Sequence, residues 1–338
     1  MVDGVRGDSG VRTPGQRMAR IWPWLKFVLG IGLLGLLGWL VDWPGTLRIM
    51  RRANVELVML SGAVIFAAMV VSTVKWQRLA RFACGPLPFP PLLRAYWIGS
   101  FLSNYLPSNV GGDVVRVLVL KAWAPVASLA GSVLVERLTG VAALAVISAI
   151  SLSLHQVTPS KLNLALWLIV CAICAGLGSI IILGSHLLRG GTAVIERLPG
   201  LFRRLAAKLA GFGETVAGYR SAPGELVIAG LWSLVFYGLL ILFQFILLRS
   251  VGSTITLADA ALVAPLVPLV SLLPVTANGL GLTEGAIVVF YTHMGVPADQ
   301  AFAAALLRRL VTIAVSAPGG LMWMTTDGGV GVPEESRS

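Results

Sequence analysis

Only 12% of the residues are charged, yet two similar sets of charged side chains fall among the long apolar runs, one in each half of the chain. They are Asp113, Arg116, Glu136 and Arg137 in the first half and Glu284, Arg308 and Arg309 in the second. An unpaired charge at the centre of a membrane helix costs about 2.5–3.5 kcal/mol on insertion scales, so such groups pair or face water. A guanidinium offers a planar fork that matches phosphate oxygens, and a carboxylate beside it orients or releases it. The chemistry these residue types point to is the holding of an anionic, phosphate-bearing group. The plainer alternative is that Glu136 with Arg137, or Glu284 with an arginine of the last helix, is a structural ion pair joining helices. Duplication favours anion binding, because one structural pair needs no copy.

The acids sit at the ends of two breaks in the apolar pattern. The first, FLSNYLPSNVGGDVVR from Phe101 to Arg116, carries Asn104, Pro107, Asn109, Gly111 and Gly112 ahead of Asp113. The second, SLLPVTANGLGLTE from Ser271, carries Pro274, Asn278, Gly279 and Gly281 ahead of Glu284. Proline ends a helix and glycine lets the backbone turn tightly and present its polar groups. Lipid cannot satisfy free N–H and C=O groups, so a break of this kind survives only where protein or a wet cavity covers it. Both stretches are therefore expected to line a site. Pro107 and Pro274 are 167 residues apart, Asp113 and Glu284 171, and the Arg-Leu pairs at Arg137 and Arg309 172, which marks an internal repeat of half the chain. The candidate substrate-binding set is Asn104, Asn109, Gly111, Gly112, Asp113, Arg116, Glu136, Arg137, Asn278, Gly279, Gly281, Glu284, Arg308 and Arg309.

The elements that position these residues follow from composition and length. Apolar residues make up 57% of the chain, and the mean hydropathy of +0.86 identifies an all-α polytopic membrane protein. Residues 1–22 form a basic cytoplasmic tail, 23–325 an integral membrane domain and 326–338 a polar tail. Spanning helices of about 20 residues are expected at Leu25–Val41, Val55–Val74, Val126–Leu154, Leu162–Gly184, Leu226–Leu248 and Phe302–Met324. Leu92–Leu106 is too short to cross and becomes one arm of a re-entrant hairpin, as do Leu257–Leu273 and Ala286–Tyr291 around the second break. About six full spans plus two re-entrant helical hairpins result, in halves of about 23–155 and 160–325. The first half begins inside and the second outside, an inverted repeat of the kind transporters use to build a central site from broken helices. Residues 185–225 are a basic cytoplasmic loop in which Leu201–Phe212 has the pattern of an amphipathic helix on the inner leaflet. Lys75, Arg78, Arg81 and Arg94 mark another cytoplasmic segment.

A net charge of +11 suits loops facing anionic headgroups, and its spread between spans argues against a nucleic-acid partner. Cys171 and Cys174 form C-x-x-C inside an apolar helix without polar neighbours, which suits packing and not redox work. His155, His186 and His293 have no ligand spacing, so no metal or other cofactor is expected. A membrane transferase would need catalytic carboxylates or a metal set, and nothing assembles around Asp113 in that way, so no enzyme activity is expected. A membrane partner of a lipid-modifying enzyme is a third class, since the basic inner face would serve docking equally well.

The run LPSNVGGDVVR, then VERLTG, then SLLPVTANGLGLTEGA and a helix with ALLRRL resembles the flippase-like membrane region of the lysylphosphatidylglycerol synthase family over about Leu25 to Thr325. That family also includes stand-alone proteins formerly grouped with an archaeal glycosyltransferase-like family. In its bifunctional members this region is thought to move an aminoacylated phospholipid from the inner to the outer leaflet. The resemblance carries over to Asn104, Pro107, Gly111, Gly112, Asp113, Arg116, Glu136 and Arg137, and to Pro274, Asn278, Gly279, Gly281, Glu284 and Arg309. No soluble aminoacyltransferase domain follows Thr325, so synthase activity is not expected. The resulting expectation is an inner-membrane lipid translocase with its N-terminus in the cytoplasm, acting on an anionic, aminoacylated or polyprenyl-phosphate-linked lipid.

Overall fold

A computed structural model describes residues 14–106, 111–154, 218–271 and 275–325. All regular elements among them are helical. Helix α1 (Pro14–Leu40) turns through 91° into α2 (Trp43–Arg52), with Pro44 in the first turn of α2. The long helices are α3 (Val55–Cys84), α6 (Val126–Leu154), α7 (Pro223–Ser250) and α11 (Ala298–Met324). These four are long and apolar enough to cross a membrane, and the bent α1–α2 pair makes a fifth candidate. Helix α1 thus ends at Leu40, within one residue of the expected end of the first span at Val41, and the short α2 that follows was not expected. The expected span at 162–184, the helix at 201–212 and Cys171 and Cys174 lie outside the described residues.

Between the long helices lie short ones. Helices α4 (Phe89–Ser103) and α5 (Gly111–Val119) pack against each other on the two sides of the first break. Helices α8 (Leu257–Val263) and α9 (Leu266–Ser271), a 3₁₀ turn at Ala277–Gly279, and α10 (Leu282–His293) flank the second. At 1.5 Å per residue, the longest of these short helices, the 15-residue α4, extends only about 22 Å, less than the ~30 Å hydrocarbon layer. Local signals fix several ends. Asn54 accepts from the Leu57 N–H at 3.1 Å to start α3, Gly85 at φ 84° ends it, and Thr256 with Asp259 makes a reciprocal capping box on α8.

The two halves of the sequence interlock. The most extensive helix pair is α3 with α7, and α4 packs along α11, so each break rests on a long helix from the other half. Trp97 of α4 donates to the Val315 carbonyl of α11 at 3.1 Å. Arg94 donates to the Met322 carbonyl near the end of α11 at 3.1 Å, where a cation complements the helix dipole.

Candidate functional site

The first break is held by charge. Gly112 opens α5 where it meets Gly99 of α4: a Cβ on Gly99 would fall 2.6 Å from the Gly112 carbonyl oxygen. Gly112 therefore serves close helix approach, and Gly111 and Gly112 both lie in α5 without positive φ, so that pair does not make the tight turn expected from sequence. Asp113 and Arg116, one turn apart on α5, pair at 3.1 Å, and Arg137 of α6 donates to the other Asp113 oxygen. Arg116 also donates to Glu136 of α6 at 2.6 Å. Glu136 accepts from the Ser72 hydroxyl at 2.9 Å and lies 3.8 Å from the Lys75 ammonium. Lys75 donates to the Glu136 carbonyl and to Ser233 of α7, both at 3.2 Å. Arg116, Glu136 and Lys75 are each no more than 5% exposed. The Arg116 guanidinium carbon lies 4.6 Å from the Trp76 ring centroid and 5.2 Å from that of Tyr96, contacts that contribute about 2 kcal/mol each when desolvated.

The second break is held by backbone. Asn278 (φ 45°) and Gly279 (φ 66°) within the 3₁₀ turn, and Gly281 (φ 75°) just before α10, all have positive φ and turn the chain into α10. A Cβ on Gly281 would meet Leu33 Cβ at 2.6 Å and the Gly30 carbonyl at 2.7 Å, so α1 lies directly on the turn. The Gly281 N–H donates to Glu284 at 2.7 Å, where a carboxylate suits the opening turn of a helix. Arg309 of α11 donates to the other Glu284 oxygen. The hydroxyls of Ser271 and Thr283, 2.9 Å apart, link the two arms of the break.

Both breaks open on one cavity of about 440 Å³. Asn104, Gly112, Asp113, Arg116, Glu136 and Arg137 line it from the first half, Asn278, Arg308 and Arg309 from the second. Asn104 donates to Ser316 of α11 at 3.0 Å, a link across the halves. Four members of the expected set do not line it. Gly111 sits under the Leu106 side chain, Gly279 and Gly281 supply the turn, and Glu284, 1% exposed, stands behind Arg309. Asn109, Pro107 and Pro274 lie outside the described residues.

Sequence reasoning misplaced Lys75, which reads as the first of a cytoplasmic basic cluster with Arg78 and Arg81. It is buried in α3, and its partners come from α6 and α7, far away in sequence. Ser72, Tyr96 and Tyr237 also line the cavity and were missed, since an isolated hydroxyl in an apolar helix carries no signal of its own. The rest of the lining is partly apolar, with Ile65, Val141, Leu144, Leu240 and Phe243. Among the described residues no group of three or more His, Cys, Asp or Glu side chains could hold a metal ion.

The family described as the lysylphosphatidylglycerol synthase TM region matches residues 24–319, which include both breaks and both arginine-bearing helices. The chain belongs to that family. A UPF0104 membrane protein of Pyrococcus horikoshii is 23% identical over 313 residues, covering 86% of this chain and 92% of the relative. Two UPF0104 membrane proteins of Methanothermobacter thermautotrophicus are similar too. One is 24% identical, covering 81% of this chain and 86% of the relative; the other is 21% identical, covering 85% and 88%. No solved structure matches the chain. Family membership with four to five apolar helices makes this a multi-pass membrane protein.

Proposed function

We propose that the protein moves an anionic lipid between leaflets, its headgroup passing through the cavity between the two breaks. One observation carries this reading. Lys75, Arg116 and Arg137 from the first half and Arg308 and Arg309 from the second converge on a single cavity whose lining also includes apolar side chains. A basic chamber lowers the barrier to carrying an anion through hydrocarbon, and guanidinium forks suit phosphate oxygens. The volume of about 440 Å³ corresponds to about fifteen waters at ~30 Å³ each, which is room for a headgroup but not for its acyl chains. The chains stay in the bilayer. In this proposal the two breaks are re-entrant hairpins of an inverted repeat, the arrangement by which two access states exchange around a fixed site. The protein lies in the inner membrane with its basic tail in the cytoplasm, and membrane lipids are its partners. The family's printed description, the membrane region of a phospholipid synthase, agrees with a lipid substrate.

The test is reconstitution of the purified protein into phosphatidylcholine vesicles carrying a trace of fluorescent anionic phospholipid, with leaflet exchange read by quenching of the outer leaflet. Exchange is expected to exceed that of protein-free vesicles and to drop at least tenfold, about the loss of one charge-assisted hydrogen bond, in Arg137→Gln. Exchange no faster than in protein-free vesicles would overturn the proposal.

A further inference from the structure

The charges that meet at the cavity do not cancel. Lys75, Arg116, Arg137, Arg308 and Arg309 line it, against Asp113 and Glu136 in the lining and Glu284 behind Arg309. Five cations face three carboxylates. Glu136 and Asp113 are already shared among Lys75, Arg116 and Arg137, and Glu284 is engaged by Arg309. Arg308 makes no ion pair among the described residues. Arg116 keeps a buried Nε with no hydrogen-bond partner.

The repeat explains how this excess arises. When Arg137 is aligned with Arg309, the preceding residue is Glu136 in the first copy and Arg308 in the second, and the residue three after the acid is Arg116 in the first and Ile287 in the second. The second copy keeps the acid–arginine pair and replaces the other acid with a cation. An uncompensated cation in a low-dielectric chamber is costly, so a ligand that restores neutrality binds best.

From this we infer that the headgroup the cavity prefers is a phosphate monoester dianion, a deepening that rests on the lipid-translocation reading above. A phosphodiester brings one negative charge and leaves one cation uncompensated. A lysylated phosphodiester is net positive and adds to the excess. A monoester brings close to two charges at neutral pH and three terminal oxygens, which accept forks arriving from both halves at once. The shared chemistry is the monoester, whether on a lipid or on a soluble molecule, and the apolar lining at Leu144, Leu240 and Phe243 favours the lipid.

The test uses full-length protein in phosphatidylcholine vesicles with three fluorescent probes of equal chain length: phosphatidate, phosphatidylglycerol and lysyl-phosphatidylglycerol. At pH 7.5 phosphatidate is expected to exchange at least tenfold faster than phosphatidylglycerol, about one charge-assisted hydrogen bond's difference, with lysyl-phosphatidylglycerol slowest. Lowering the pH to 5.5 passes the second phosphate pKa near 6. Phosphatidate then gains a proton, and its lead over phosphatidylglycerol should shrink. Arg308→Gln is expected to slow phosphatidate more than phosphatidylglycerol, whereas Arg308→Lys, which keeps the charge, preserves most of the ratio. Equal rates for phosphatidate and phosphatidylglycerol, or faster lysyl-phosphatidylglycerol, would overturn the inference and leave lipid translocation standing. No probe moving faster than in protein-free vesicles would instead overturn the translocation reading. Release of entrapped glycerol 3-phosphate without lipid exchange would overturn the assignment to lipid.

Discussion

In the first break Asp113 takes Arg137 from 24 residues on, and in the second Glu284 takes Arg309 from 25 residues on. Each acid stands in the opening turn of a short helix and each arginine in the next long one. Around this common clasp the halves differ. The first adds Arg116, Glu136 and Lys75 in a buried chain of alternating charge, with Trp76 and Tyr96 against the guanidinium. The second has no further acid in contact among the described residues and holds its shape through three residues at positive φ, of which Gly281 lies against α1. One clasp is therefore fixed by side-chain electrostatics and the other by backbone conformation. That leaves the second half free to present Arg308 without a counter-charge of its own.

The largest expected effect separates these two modes. Glu136→Gln leaves Arg116 and Lys75 buried without their shared acid and should cost about 3–5 kcal/mol, read as a lowered thermal midpoint in detergent. The comparison breaks if Glu136→Gln melts no lower than Glu284→Gln. Next comes Gly281→Ala, expected to cost about 2–3 kcal/mol, because alanine is strained at φ 75° and its methyl would meet Leu33 and the Gly30 carbonyl. Gly111→Ala, whose methyl would meet Leu106 at Cδ1 and Cβ without a positive φ, should cost about 1 kcal/mol in the same assay. Equal losses at the two glycines would show that backbone angle does not distinguish the breaks.

Removing the acid of each clasp sharpens the comparison further. Glu284→Gln should cost about 2 kcal/mol and Asp113→Asn about 1 kcal/mol, since Arg116 keeps Glu136 and the Arg137 side chain, 41% exposed, is rehydrated more readily than that of Arg309, 19% exposed. Chemical unfolding of both variants in one detergent would show the order, and a reversed order would contradict it. The smallest effect belongs to Arg308→Gln. Stability should hold or rise by up to about 0.5 kcal/mol, because no ion pair among the described residues is lost and an uncompensated cation leaves the cavity. A large destabilisation would mean that Arg308 is structural after all.

Much of the site was legible because two copies of one pattern announced each other. Asp113 with Arg137 and Glu284 with Arg309 follow from pairing the charges within each copy, and most of the expected set lines the cavity. Tertiary features were not legible. Lys75 lies one turn before Arg78 in an unbroken helix, and only the approach of α6 and α7 buries it and leaves Arg78 to pair with Glu225 nearer solvent. The end of the first span near Leu40 was legible from the end of its apolar run, but the 91° turn into α2 was not, although Asp42 and Pro44 stand at it. The glycines of the two breaks look alike in sequence, yet Gly112 sits in ordinary helical geometry and Gly281 at positive φ. Composition does not separate these uses, because both need only the absence of a side chain.

Because each acid finds its guanidinium within 24 or 25 residues, both pairings involve stretches that leave the ribosome within moments of each other. The nascent amino-terminal portion can neutralise its own charges before the carboxy-terminal portion has been translated, so neither segment need enter the bilayer with a bare acid. The packing between the halves, such as α3 on α7, α4 on α11, α2 on α11 and α1 on the second break, must wait for a complete polypeptide. Two separately synthesised fragments, cut within 155–217, should accordingly insert on their own and reassemble when expressed together.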